Sequence, residues 1–160
     1  MNVTEISIDP ESYAGPVVRR LVAALGEELA GRYPDDDPDC KGGEPDPEKF
    51  EPPRGRFLVA WMNGEPVGCG GVCAGDGDGP AEVRRMYVVP EMRGRGISRR
   101  ILTALEQETR GLGRERLRLE TGINQPEAIG LYESSGFERI PNFGLYIGEA
   151  RSVCLEKRLD

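Results

Sequence analysis

The sequence predicts an α/β (α+β) fold: one mixed, mostly antiparallel sheet of about 6–7 strands, with helices on both faces. Three observations predict it. Apolar–polar alternation with a two-residue period marks strands near both ends of the chain and in its middle. The pair Asn63-Gly64 stands between two apolar runs, the strongest short-range hairpin signal. Segments with apolar residues at helical spacing interrupt the strands, and late in the chain helices and strands alternate.

In chain order, 3–8 (VTEISI) alternates as a half-buried strand. Val18, Leu21, Val22, Leu25 and Leu29 then fall on one helical face, with Pro16 suited to the first turn and Gly31 near the end. Segment 34–54 has no periodicity and holds six prolines, eight acidic residues and three basic ones. It reads as a loop, either a solvated mobile segment or a substrate-facing one whose carboxylates attract a cation. Gly55–Met62, the Asn63-Gly64 turn and 66–73 form the hairpin. Residues 74–79 (AGDGDG) start like a calcium loop but lack the later ligands and the closing glutamate. A strand over 80–89 stops at Pro90, and Ile97, Ile101, Leu105 and Leu112 mark a helix over Ile97–Gly111. A strand over 116–121 (RLRLET) follows, then a short helix through Ala128, Leu131 and Tyr132 that stops at Gly136. Strands over 137–140 and 152–159 complete the order. The 160 residues fit a single domain, 1–160, with no internal repeat.

Composition excludes whole classes of function. The net charge of −7 argues against a general nucleic-acid binder, which needs a basic field. No apolar run is long enough to span a membrane, and 1–10 lacks the pattern of a secretory leader, so a cytoplasmic protein is expected. There is no histidine, which removes Ser-His-Asp and Cys-His catalysis and any His-ligated metal; no metal is expected. Cys69 and Cys73 have the wrong spacing for a zinc knuckle, and with Cys40 and Cys154 they read as small apolar residues in a reducing compartment.

The informative segment is 88–102, VVPEMRGRGISRRIL: a strand ends, glycines follow at 94 and 96, and a helix begins. A helix N-terminus has about four unpaired N–H groups and the positive end of the dipole, so it attracts anions. Residues 83–100 hold six arginines (84, 85, 93, 95, 99, 100) and one acid, Glu91, a net +5 against −12 for the rest of the chain. A polyphosphate ligand accounts for such a patch. The segment is neither a Walker motif nor the three-glycine dinucleotide fingerprint.

Arg93-Gly94-Arg95-Gly96-Ile97-Ser98 resembles the acyl-CoA signature of the GNAT superfamily of N-acetyltransferases, Gln/Arg-x-x-Gly-x-Gly/Ala, with Ser98 in place of the last small residue. The run from Ala128 to Phe137, AIGLYESSGF, resembles the second signature of that family, A-x-x-L-Y-x-x-x-G-F, in the usual order. The resemblance spans essentially the whole chain, weakly at 34–54 and beyond Asn142. It implies a sheet whose central strands, 80–89 and 116–121, splay apart. It also implies acetyl-CoA as acyl donor, with its pyrophosphate on backbone N–H groups of Arg93, Gly94, Arg95, Gly96, Ile97 and Ser98, and Arg99 or Arg100 reaching a phosphate. The pantetheine arm would run along Met86, Tyr87 and Val88, with the Val88 N–H polarising the acetyl carbonyl. Tyr132 matches the tyrosine that protonates the departing thiolate, a role suited to a phenol; on spacing alone it also fits a core position. Gln125 stands where the family carries an asparagine, with Asn124 one residue earlier, so either is a cofactor contact.

The amine must lose a proton, and without histidine the candidates are carboxylates or a water relay. Glu82 resembles the glutamate base of the histone-acetyltransferase branch, and Glu120 ends the opposite strand; both stay open, and each also suits a strand-end ion pair. By alternation Glu82, Arg84, Met86 and Val88 share a face. The expected partner is a small primary amine, cationic because Asp35, Asp36, Asp37 and Asp39 lie in the segment that borders the acceptor site in related folds. The alternatives are an amino acid or peptide N-terminus whose carboxylate meets Arg54 or Arg56, another acyl group, and a non-catalytic acyl-CoA-binding module. The resemblance also admits a homodimer.

Overall fold

The computed structural model describes residues 5–35, 44–75 and 77–160. Its elements are β1 (Ser7–Pro10), α1 (Pro16–Arg32), β2 (Gly55–Met62), β3 (Glu65–Ala74), β4 (Ala81–Val88), α2 (Ile97–Gly111), β5 (Arg116–Gly122), α3 (Pro126–Ser134), β6 (Glu138–Ile140) and β7 (Ser152–Arg158). The strands form one seven-stranded sheet in the order β1-β2-β3-β4-β5-β7-β6. Every pair is antiparallel except β4 with β5. Two apolar clusters cover the two faces. One carries α2 (Ile97, Ile101, Leu105) with Tyr132 of α3, and the other carries α1 (Val18, Leu21, Leu25) with Phe50 and Phe57. The expected mixed sheet with helices on both faces is therefore present.

The β2–β3 hairpin turns on Asn63 and Gly64, at φ 51° and 78°, the paired left-handed residues of a tight hairpin turn. Three expectations shift. The first strand lies at Ser7–Pro10 rather than 3–8, because pairing begins where β2 offers partners, Pro10 opposite Leu58 through Ser7 opposite Trp61. Residues 1–4 lie outside the described residues. The described part of 34–54 is not simply solvated. A 3-10 turn at Pro47–Phe50, capped where Asp46 accepts from the Glu48 N–H at 3.0 Å, drives Phe50 into the core. There Phe50 is 1% exposed, stacked on Tyr13 at 4.7 Å and edge-on to Phe57 at 5.2 Å.

The third shift concerns β4. Cys69 faces Tyr87 and Gly71 faces Arg84, so Arg85 and Met86 together stand opposite Gly70, and Arg85 has φ 59°. This bulge flips the side-chain parity. Met86 and Val88 pack on the α2 side with Ala81 and Val83, so these two do not share a face with Glu82 and Arg84 as alternation predicts, and Tyr87 packs on the α1 side.

Candidate active site

β4 and β5 pair only at Ala81 with Leu117 and Glu82 with Arg118. Beyond that point the strands diverge. A cleft of about 1100 Å³ opens between them, walled by α1, by the ends of β4 and β5, by α3 and by the β6–β7 loop. Two strand edges without a β partner leave backbone N–H and C=O groups for a ligand to meet.

Three side chains from β5 and α3 define the floor. Glu120 lines the cleft, half-buried, and accepts a hydrogen bond from the Ser152 hydroxyl at 2.7 Å. Burial pushes its carboxyl above the usual carboxylate range. The Ser152 bond and the charge of Arg84 pull the other way without cancelling the shift. Tyr132, 6% exposed, also lines the cleft and stands edge-on to Phe137 at 5.8 Å. Burial raises its pKa well above that of a free phenol, so it keeps its proton at any working pH. Thr121 is 5% exposed, and its Oγ1 has no hydrogen-bond partner among the described residues. An orphaned hydroxyl in the wall of an open split is the kind of group a ligand satisfies. Replacing it should therefore not hurt folding. Thr121→Val is expected to leave urea-unfolding stability unchanged or raise it by up to about 1 kcal/mol, since an unpaired buried hydroxyl is lost. A drop of that size instead would show that the hydroxyl is already satisfied.

Glu82 is placed differently. Its carboxylate takes Arg118 Nη2 at 2.8 Å and Nε at 3.3 Å, and the Arg118 guanidinium lies 3.9 Å from the centre of the Phe143 ring. This is the strand-end ion pair, stacked under the β6–β7 loop. Cys69, fully buried, has its thiol pushed up to about 12 by burial, and burial also raises Cys73 and Cys154. These thiols stay protonated and are poor nucleophiles. Cys40 lies outside the described residues, and the described residues hold no cluster able to bind a metal ion.

The turn before α2 is built for an anion. Gly94 and Gly96 have φ 79° and 80°, a conformation that a side chain disfavours. Arg93, Gly94, Arg95 and Gly96 are exposed, and Gly96 caps α2 without a side-chain hydrogen bond. Among the described residues, the N–H groups of Gly94, Arg95, Gly96, Ile97 and Ser98 have no hydrogen-bond partner. The arginines divide their work. Arg93 donates from Nε to the Val88 carbonyl at 2.9 Å and pairs with Glu28 at 2.7 Å, so it ties the turn to β4 and α1. Arg99 reaches Ser134 at 2.6 Å and Ser135 at 3.3 Å, and Arg100 donates to the Ile6 carbonyl at 3.1 Å.

Asn124 and Gln125 are already engaged. The Asn124 amide donates to the Arg32 carbonyl at 2.9 Å. The Gln125 side-chain oxygen accepts from the Gly122 N–H at 3.1 Å and the Tyr33 hydroxyl at 3.3 Å. Arg32 grips Glu127 with both guanidinium nitrogens. A Cβ on Gly122 would overlap the Tyr33 hydroxyl, so this glycine lets the end of α1 dock on the β5–α3 loop. Gln125 lines the cleft; Asn124 does not. Of the other sequence candidates, Met86 lines the cleft, whereas the side chains of Tyr87 and Val88 are buried in the two cores. Sequence reasoning missed Thr121 and Ser152 as site residues. Of the acidic segment, Pro34 and Glu44 line the cleft. Asp35 is exposed and outside the lining, and Asp36, Asp37 and Asp39 lie outside the described residues. Arg56 pairs with Glu108 at 3.5 Å, and neither it nor Arg54 lines the cleft.

Residues 22–137 match the model of the Acetyltransferase (GNAT) family. The chain is 36% identical over 154 residues to a protein of Azospirillum brasilense called IAA acetyltransferase, covering 96% of this chain and 98% of that one. Among solved structures, an acyl-CoA N-acyltransferase candidate of Klebsiella pneumoniae superposes with a TM-score of 0.81 at 29% identity, over 97% of this chain and 98% of the other. A GNAT-family acetyltransferase of Elizabethkingia anophelis, solved with acetyl-CoA bound, shares the fold with a TM-score of 0.67 at 19% identity, over 97% of this chain and 99% of the other.

Proposed function

This chain belongs to the GNAT family of acetyl-CoA-dependent acetyltransferases, and we propose that it moves the acetyl group directly to a primary amine of a small molecule held in the split between β4 and β5. The observation that carries this reading is the split itself, with a tyrosine and a half-buried carboxyl lining one cleft. The pyrophosphate of the donor sits on the N–H groups of Gly94 through Ser98, and the pantetheine arm follows the open edge of β4 at Met86, Tyr87 and Val88.

Acetyl-CoA supplies a thioester whose carbonyl carbon takes the amine. The amine nitrogen forms the new C–N bond as the C–S bond breaks. Glu120 accepts the proton that leaves the nitrogen, directly or through a water, and Tyr132 gives its proton to the sulfur. Between the two candidate bases, Glu120 is favoured because Glu82 is held by Arg118. Among the described residues the cysteines are protonated and leave no thiolate for a covalent route, which supports direct transfer.

Two measurements test this reading. The first is thiol release from acetyl-CoA across polyamines, amino sugars, amino acids and peptide N-termini; binding without turnover on every amine would favour the non-catalytic module. The second is a pH profile. A base whose carboxyl lies above the usual range makes kcat/KM rise with pH through that elevated value, because only the ionised form accepts a proton. Glu120→Gln is expected to abolish this limb and lower kcat about 10- to 100-fold at neutral pH. Stability moves the opposite way. The raised native pKa means that ionising Glu120 costs stability as pH climbs from the unfolded to the folded value, so the neutral glutamine relieves that cost above it. An unchanged pH limb in the variant would remove Glu120 from the mechanism.

A further inference from the structure

The charges of the cleft identify the class of acceptor, on the premise that the acetyltransferase reading holds. Among the described residues four carboxylates line it, Glu44, Glu82, Glu120 and Glu149, and each already has an interaction within the fold. Glu82 takes Arg118 at 2.8 Å, and Glu44 accepts from the Tyr13 hydroxyl at 2.9 Å with Arg19 at 3.7 Å. Glu120 accepts from Ser152. Arg84 is different. It lines the same cleft, half-buried, and makes no ion pair among the described residues. Nearby, Cys73 offers no counter-charge, because burial raises its thiol pKa and keeps it neutral. A guanidinium that lines a cleft without an ion pair leaves its planar fork open to a carboxylate ligand. Arg84 and Glu120 both line this cleft, so the two side chains address one volume. α1 contributes Arg19 and the apolar run Val22, Gly26 and Leu29 to the lining, and the β6–β7 loop adds Phe143 and Tyr146.

We propose that the acceptor is an amino-acid-like molecule, with a primary amine, a nearby carboxylate and an apolar body: Arg84 holds the carboxylate, Glu120 receives the amine and α1 covers the side chain. A polyamine would instead bring a second cation towards Arg84, which like-charge repulsion opposes. This replaces the cationic acceptor expected from 34–54.

The test uses a matched trio, leucine, leucinamide and isoamylamine, with thiol release from acetyl-CoA measured for wild type, Arg84→Gln and Arg84→Lys, and the acetyl-CoA Kd measured for each protein. Wild type is expected to favour leucine over the other two by about 10- to 100-fold in kcat/KM, the worth of a hydrogen-bonded charge pair. Arg84→Gln is expected to collapse that ratio, mainly through KM for leucine, and Arg84→Lys to keep part of it. An unchanged acetyl-CoA Kd shows that the variant is folded with its donor site intact. Equal wild-type rates on the three amines, no acetylation of any of them by a protein that binds acetyl-CoA, or a preference that survives in Arg84→Gln overturns the proposal and leaves the transferase reading standing. A wild type that does not bind acetyl-CoA overturns the transferase reading itself.

Discussion

Tyr132→Phe is expected to lower kcat by about 10²–10³-fold while leaving the acetyl-CoA Kd and the melting temperature close to wild type. The magnitude is that of a positioned general acid. The hydroxyl is the only atom removed, and the ring keeps its edge-on contact with Phe137 at 5.8 Å and its place in the α2-side core. The hydroxyl has no hydrogen-bond partner among the described residues, and burial alone accounts for its raised pKa, so its loss leaves no buried group stranded. Thiol release and thermal unfolding measured on one preparation separate the two roles open to this tyrosine. A kcat that holds while the melting temperature falls would make it a packing residue.

Gly96→Glu is expected to weaken acetyl-CoA binding by about two orders of magnitude. Two effects add. At φ 80° any side chain is strained, by about 1–2 kcal/mol in the left-handed region. The carboxylate also stands at the positive end of α2, where the free N–H groups would otherwise receive phosphate. No heavy atom would lie within 4 Å of a Cβ there, so steric collision with the rest of the fold is not the cause. Gly96→Ala isolates the backbone strain, and the difference between the two variants, read by calorimetric titration, is the electrostatic part. Wild-type affinity in Gly96→Glu would place the phosphates elsewhere.

What the sequence announces and what it hides follow from range. The turn at Gly94 and Gly96, the start of α2 and the Asn63-Gly64 hairpin are local: each depends on a left-handed backbone that glycine or asparagine signals. The position of Tyr132 was legible through its motif. The Glu120–Ser152 bond was not, because it depends on how β5 registers against β7, with Glu120 opposite Cys154 and Gly122 opposite Ser152. The bulge in β4 was hidden as well, since an arginine at φ 59° leaves no mark in a sequence. A single aromatic in a run of prolines and acids has no periodicity, so nothing in segment 34–54 marks Phe50 as the core residue it is. Asn124 and Gln125 are held by the end of α1, about 90 residues away in the chain, a contact that only the closed fold supplies.

Transfer of an acetyl group from acetyl-CoA to an amine in the split between β4 and β5 must yield free thiol and N-acetyl amine together. The most direct test supplies acetyl-CoA labelled in the acetyl group, together with the best amine of the panel. Free thiol and labelled N-acetyl product are then counted in the same reaction, for wild type and Tyr132→Phe. Equal amounts of thiol and labelled amide are expected from wild type, and much slower formation of both from the variant. Acetyl-CoA that binds but yields neither product, or thiol released without labelled amide, would rule out acetyl transfer to an amine in this cleft.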